Sequence, residues 1–478
     1  MIRWILPAAV IVSLAACSSE VSNEGTPTAS SELSPGGISY TLIHVPEDDV
    51  AIHVAWPTDW AYREDTNKAA PLVGAELMLA GGAQGYPAGD VGERWADLNA
   101  GGNLYGVASD HIVGELVFER EDISEVVEIA NAHLREPLLG QTWLNRISDG
   151  VEQSVNEERS QPAAAGFEAV RWTVLGEQPL RNALSLQGGN AFEALSRDDI
   201  LAWHAETFTR TPEAVTVAGD IDAEAAGQAL DSLLKGLPEK GRSLARGVKT
   251  DFKPRRILLH MPEAEVSSLA FVAPVPPTRL GGEIEDALLI DALGGDDQSV
   301  LFNAMRTHLR ASYAFGAGMD NLTGDHRVMS MAGEVDTSKI AEAESVVREA
   351  YRKFRKTGME GDIVERKVPL EAYFSEINDH VMDLARVELQ SSLDGGDPGR
   401  VLRIMDEIEA VTDVSLNERL KDAFPEMDEF TVIAVSPEAD SLPDACVITT
   451  PREAVDCLYS DGVYSDGYHP TQARVGAL

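Results

Sequence analysis

The feature that most constrains this chain is an order of elements that occurs twice. The segments ISYTLIHV and VAIHVAW alternate as predicted strands, an apolar helix follows from Pro71, and further strands run through LYGVAS and IVGELVFE. Long helices come next. One opens after Ser196, an N-cap residue with Asp199 three positions on, close to a capping box. The strand VTVAGD, ending at Asp220, and a helix from Ala223 to Leu234 close the unit. Downstream the same order returns as strands RILLHM and SLAFVA, helices through DALLIDAL and VLFNAMRTHL, strands YAFGAGM and VMSMAGEV, more helices and a final strand TVIAVS. A repeat longer than solenoid periods is a duplicated domain, and 478 residues exceed what one ordinary core organises. The expected fold class is therefore α+β, with two tandem homologous α/β units at 38–239 and 257–440. Between them KGRSLARGVKTDFKPRR (240–256) is basic and carries Gly and Pro, so it is read as the connection, and 441–478 as a tail.

Charge narrows the function classes. The chain has 39 basic against 79 acidic residues, a net charge of −40, which argues against nucleic acid and anionic membrane surfaces as partners. The N-terminus, MIRWILPAAVIVSLAAC, has one Arg and an apolar run too short to span a bilayer, so residues 1–16 read as an export signal. Its Leu14-Ala15-Ala16-Cys17 box resembles the bacterial lipoprotein signal, which makes Cys17 the lipidation residue. Ser18 in the next position is the pattern of outer-membrane lipoproteins. The expected location is thus the periplasm of a Gram-negative bacterium, with membrane contact only through the lipid. Residues 17–37, rich in Ser, Thr, Gly and Pro, read as a flexible tether. Cys446 and Cys457 lie close together in an exported chain, which favours a disulfide; two free thiols in a mobile tail are the other reading.

The segments LVGAELMLAGGAQGYPAGDV and LNAGGNLYGVASDHIVGELVFEREDISEVVEIANAHLREPLL resemble the N-terminal half of insulinase/pitrilysin (inverzincin) peptidases. In that family the first segment carries His-x-x-Glu-His, whose two imidazoles share one helix face and bind zinc beside the Glu that serves as general base. Here Val73 and Leu77 stand at the histidine positions, with Glu76 at the general-base position. VEQSVNEE resembles the segment that supplies the third ligand and places Glu152 there. The carboxylates remain while both imidazoles are gone, and two carboxylates hold zinc weakly. No bound cofactor is expected in this chain.

The resemblance extends over residues 38 to 440. It implies a clamshell half, with activity requiring two such halves. LGGDDQSVLFNAMRTHLRASYAFGAG resembles the family's C-terminal signature, in which an Arg and a Tyr seven residues later face the zinc across the chamber; Arg306 and Tyr313 fit. A guanidinium and a phenol suit an oxyanion. Without the resemblance, Arg306 reads as a surface helix residue and Tyr313 as the start of a core strand. Gly101-Gly102-Asn103-Leu104 resembles the strand where substrate adds to a sheet edge, so Asn103 is a peptide-binding candidate, or else a turn residue. Gly294-Gly295 lacks a following Lys-Ser/Thr and reads as a turn between helices. His133, followed by Pro137 and no second His, reads as a structural helix residue. These readings lead to a non-catalytic subunit of a heterodimeric zinc metallopeptidase, whose partner carries an intact His-x-x-Glu-His and the zinc. The alternative is an inert peptide-binding or scaffold lipoprotein of the same fold. A zinc peptidase in its own right requires ligands the sequence does not supply.

Overall fold

The computed structural model describes residues 27–46, 49–107, 109–185, 191–241, 247–312 and 314–458. The expected signal segment 1–16, the lipidation residue Cys17 and Tyr313 lie outside the described residues. The first unit contains strands β1 (Thr28–Leu33), β2 (Ser39–His44), β3 (Asp49–Pro57), β4 (Gly101–Val107), β5 (His111–Glu119) and β6 (Ala214–Gly219). Its helices are α1 (Ala70–Ala80), α2 (Val91–Asp97), α3 (Ile123–Arg135), α4 (Gln141–Arg159), α5 (Pro162–Leu175), α6 (Pro179–Ser185), α7 (Arg197–Thr207) and α8 (Ala223–Leu233). The second unit contains strands β7 (Arg256–His260), β8 (Ser267–Val275), β9 (Phe315–Thr323), β10 (His326–Val335), β11 (Thr431–Ser436) and β12 (Cys446–Ile448). Its helices are α9 (Glu283–Gly294), α10 (Val300–Phe302), α11 (Ile340–Thr357), α12 (Ile363–Asn378), α13 (Val381–Leu393), α14 (Ile404–Ala410) and α15 (Asp413–Ala423).

The duplication is realised strand for strand. The sheets run β1-β2-β6-β3-β5-β4 and β12-β7-β11-β8-β10-β9. In each, one parallel pair (β2 with β6, β7 with β11) is followed by antiparallel pairings out to an edge strand. The sixth strand is where they differ. β1 joins β2 antiparallel, and β12 joins β7 parallel. β1 lies in the segment expected to be a flexible tether, which corrects that reading: residues 28–33 are an edge strand, while the tail from 446 to 456 supplies β12 and a short helical turn. Extended polar segments need no apolar face to add to an existing edge, because the backbone bonds carry the pairing.

β3 is buried from Val50 to Ala55 without alternation, as in a sheet covered on both faces. On one side Val50, Ile52, Val54 and Trp56 pack against residues of α1, α3, α7 and α8. Phe208 stands edge-on to Trp56 and Trp203, with ring centroids 5.1 and 5.3 Å away. Such pairs add roughly 0.5–1.5 kcal/mol each beyond area burial. The Ser196 capping box that starts α7 is present, with Asp199 as its reciprocal partner. Gly74 permits the α1–α7 contact, since a Cβ there would stand 2.5 Å from the Trp203 ring.

The other face of each sheet is covered by the opposite unit. α13, from the second unit, lies on β3 and β6, where Leu389 joins Ala55 and Val113. α5, from the first unit, lies on β8 and β11, and Ala165, Ala169 and Val170 meet Ala270, Val272, Ile433 and Val435. α5 approaches closely because Gly166 has no Cβ; one would lie 3.1 Å from Val435 Cγ2. Within the second unit, buried Asp286 accepts from Arg327 Nη1 at 2.7 Å and from Arg419 Nε and Nη2 at 2.7 Å each, tying α9 to β10 and α15.

Candidate functional site

The expected site residues of the first unit come from three elements, of which α1 touches the other two. α1 packs against both α4 and β4, so the helix with Val73, Glu76 and Leu77 adjoins the helix with Glu152 and the edge strand with Asn103. Val73 and Leu77 sit one turn apart on the inner face and are both 0% exposed, members of the core beneath the sheet. Glu76, three positions after Val73, lies at the border of that face and is exposed, and partial burial pushes its carboxyl above its ordinary value. Glu152 lines an open hollow of about 530 Å³ along α4, together with Asp149, Gln153, Asn156, Glu157 and Ser160. All six residues are polar, and three of them are acidic. Among the described residues no three His, Cys, Asp or Glu side chains converge to hold a metal. Val73 and Leu77 have no donor atoms, so the residues present do not fit a zinc ion.

Asn103 is not in a turn. It lies within β4 opposite Glu115, is exposed, and its Oδ1 accepts from the Leu104 amide at 2.9 Å. Among the described residues β4 ends the sheet order, the position at which a sheet can take on an extended chain. His133 is structural: it is 2% exposed, and its Nδ1 donates to the Ile129 carbonyl at 2.8 Å one turn back. Burial lowers its pKa, and the hydrogen bond to the Ile129 carbonyl offsets this in part. Gly295 caps α9 ahead of α10, which is the expected helix-to-helix turn.

Arg306 belongs to the second unit. Its segment, expected to continue a regular helix, is π-helical over Asn303–His308, with Leu309 N donating to Ala304 O at 3.1 Å. Arg306 is exposed and its guanidinium stacks 5.0 Å from the Phe302 ring centroid. The segment packs on α10 and α11. Cys446 and Cys457 form a disulfide, Cα–Cα 5.8 Å, that joins β12 to the following turn, which rests on α5.

One polar group was not anticipated. Glu115, 3% exposed in the middle of β5, accepts from Tyr105 Oη on β4 at 2.6 Å and from Arg386 Nε on α13 at 2.9 Å. His53 on β3 lies beside it, Nδ1 3.6 Å from Glu115 Oε1. Burial alone would raise the Glu115 carboxyl; the Arg386 hydrogen bond, His53 and Tyr105 outweigh it and hold the carboxyl below its ordinary range. The signal that could have found the group is a carboxylate and an imidazole at the centres of two apolar strands.

The architecture of two matched sheets with exchanged helices now has counterparts. The fold is that of M16 peptidases. A peptidase M16 inactive domain from Pseudomonas fluorescens superposes with TM-score 0.75 at 13% identity, over 86% of this chain and 98% of that one. A protease from Helicobacter pylori gives 0.71 at 13% identity, over 86% and 100%. The first half of the periplasmic protease PqqL from Escherichia coli gives 0.64 at 12% identity, over 90% and 96%; against the whole of PqqL this chain spans 52% of its length. Residues 194–368 match the family model described as Peptidase M16 inactive domain. No curated protein matches the chain. The matched stretch begins downstream of α1 and α4 and does not include Val73 and Leu77. Among the described residues no helix is long and apolar enough to cross a membrane.

Proposed function

We propose that this chain is the non-catalytic subunit of a two-chain, insulinase-like zinc peptidase. The observation that carries the reading is the fate of α1: the helix keeps its place against α4 and β4, while its two histidine positions have become fully buried core. A fold retained around a site that can no longer hold metal is suited to assisting a chain that can. The partner is a subunit with intact His-x-x-Glu-His that brings the zinc. This chain contributes chamber wall, an edge strand β4 with Asn103 for an extended peptide, and Arg306 with Tyr313 as donors toward the scissile carbonyl oxygen. Export, lipidation at Cys17 and residence at the periplasmic side of the outer membrane complete the proposal.

The test is reconstitution. The purified chain cleaves no unstructured peptide; mixed with the His-x-x-Glu-His chain that accompanies it from its native membrane, it produces activity that neither has alone. Arg306→Ala or Tyr313→Phe then lowers kcat by about 10²-fold, the usual loss for one oxyanion donor, with the complex still assembled. A companion fully active by itself, or an assembled Arg306→Ala complex with unchanged kcat, establishes the inert scaffold instead.

A further inference from the structure

The edge strand β4 is held from its far side by the second unit. Tyr105 projects from β4 to the face covered by α13, and its hydroxyl donates to Glu115 Oε1 at 2.6 Å. Glu115 is buried, and a buried carboxylate stays ionised only with a partner. That partner is Arg386, whose Nε donates to Oε1 at 2.9 Å and whose Nη2 reaches Oε2 at 3.3 Å. Arg386 is itself aimed by Asp383, one turn back on α13, which accepts from its Nη1 at 2.8 Å. The contact spans 271 residues of sequence and joins the two units.

We propose that Arg386 is a positioning residue for β4: the docking of α13 fixes the edge strand through Glu115 and Tyr105. The chain of dependence follows from the chemistry. Without the guanidinium, Glu115 is left with only the buried His53 beside it, whose own pKa burial lowers to about 4, and the carboxylate takes up a proton or turns toward water. In either case the charge-assisted acceptor that holds Tyr105 is lost. An edge strand has neighbours on one side only, so loss of a side-chain anchor frees it more than it would a central strand. In this way the packing of the second unit sets how well ordered the edge is that, on the reading above, takes a peptide strand. This inference rests on that reading only for its functional consequence.

Amide hydrogen exchange on the full chain tests it. In Arg386→Met, which keeps the aliphatic stem, the β5-paired amides of β4 lose protection by about tenfold, while β2, β6 and the second sheet exchange as in the wild type. Tyr105→Phe, which removes one oxygen, gives the same local loss, and the double variant loses no more than either alone. Arg386→Lys restores most of the protection. A labelled unstructured peptide binds each variant in proportion to that protection. Wild-type exchange at β4 in both Arg386→Met and Tyr105→Phe overturns the inference, as does simple additivity of the two. If Arg386→Met does not fold, Tyr105→Phe decides. Absence of peptide binding to the wild type would instead count against the peptide-edge reading and leave the exchange result to judge Arg386.

Discussion

Acid should destabilise this protein through one histidine. His53 is 0% exposed on β3, between Glu115 of β5 and Thr216 of β6, with α13 lying across the strand. Burial lowers its pKa to about 4 from an ordinary 6.5; nearby Glu115 pulls it up only in part, and Arg386 lowers it further. The unfolded chain takes up this proton near 6.5 and the folded chain only near 4. Between those values the unfolded state binds more protons, so stability falls as pH falls. At about 1.4 kcal/mol per pKa unit, the gap corresponds to about 3 kcal/mol, present above pH 6.5 and lost by pH 4. His53→Val removes the titrating group and suits a buried strand. Neither ring nitrogen has a hydrogen-bond partner among the described residues, so at neutral pH the variant should be no less stable than about 1 kcal/mol below wild type. Urea unfolding at intervals from pH 7.5 to 4 should give a wild-type curve that falls more steeply than the variant's, by about 3 kcal/mol over the whole range. Parallel curves would refute the buried, neutral imidazole.

Metal analysis of the mature protein should find well under one zinc per chain, and chelators should leave its behaviour unchanged; about one zinc with chelator-sensitive peptide cleavage would contradict the loss of the site at Val73 and Leu77. Asp286→Asn breaks the contacts to Arg327 and Arg419 and should destabilise the fold by about 3 kcal/mol, measured by denaturant unfolding, whereas a change below about 0.5 kcal/mol would show the triad to be marginal. Reduction of Cys446–Cys457 opens a loop of sequence separation 11 and should lower stability by roughly 3 kcal/mol or less; thiol labelling of the denatured, unreduced protein should find neither sulfur free.

The repeat was legible because strand and helix periodicities survive in both copies, and the capping box at Ser196 marked a helix start to the residue. The lack of metal-binding side chains at 73 and 77 was legible as two apolar letters, and the structure places both in the core. What could not be read was anything decided by contacts remote in sequence. β1, with the sequence TASSEL, has no apolar stripe and is a strand only because β2 offers an edge. The π-helical turn at Asn303–His308 has the same composition as a regular helix, so the direction in which Arg306 points was not in the letters. Glu115 and Arg386 lie far apart in sequence, and their pairing depends on where α13 docks. The alternation that places Glu115 on one face says nothing of which helix covers it.

The exchange of helices between the sheets also sets an order of events during synthesis. β3 and β6 emerge early, yet α13, which covers their second face, ends only at Leu393, long after the first sheet could otherwise have closed. Until then the nascent first unit presents an open face with Ala55, Val113 and a carboxylate awaiting its guanidinium. Contacts of such long range form slowly, and an exposed sheet face is prone to wrong pairing while it waits. Neither unit cut out alone is therefore a sound domain: a fragment ending before α13 should aggregate, and co-expression of the missing piece should rescue it.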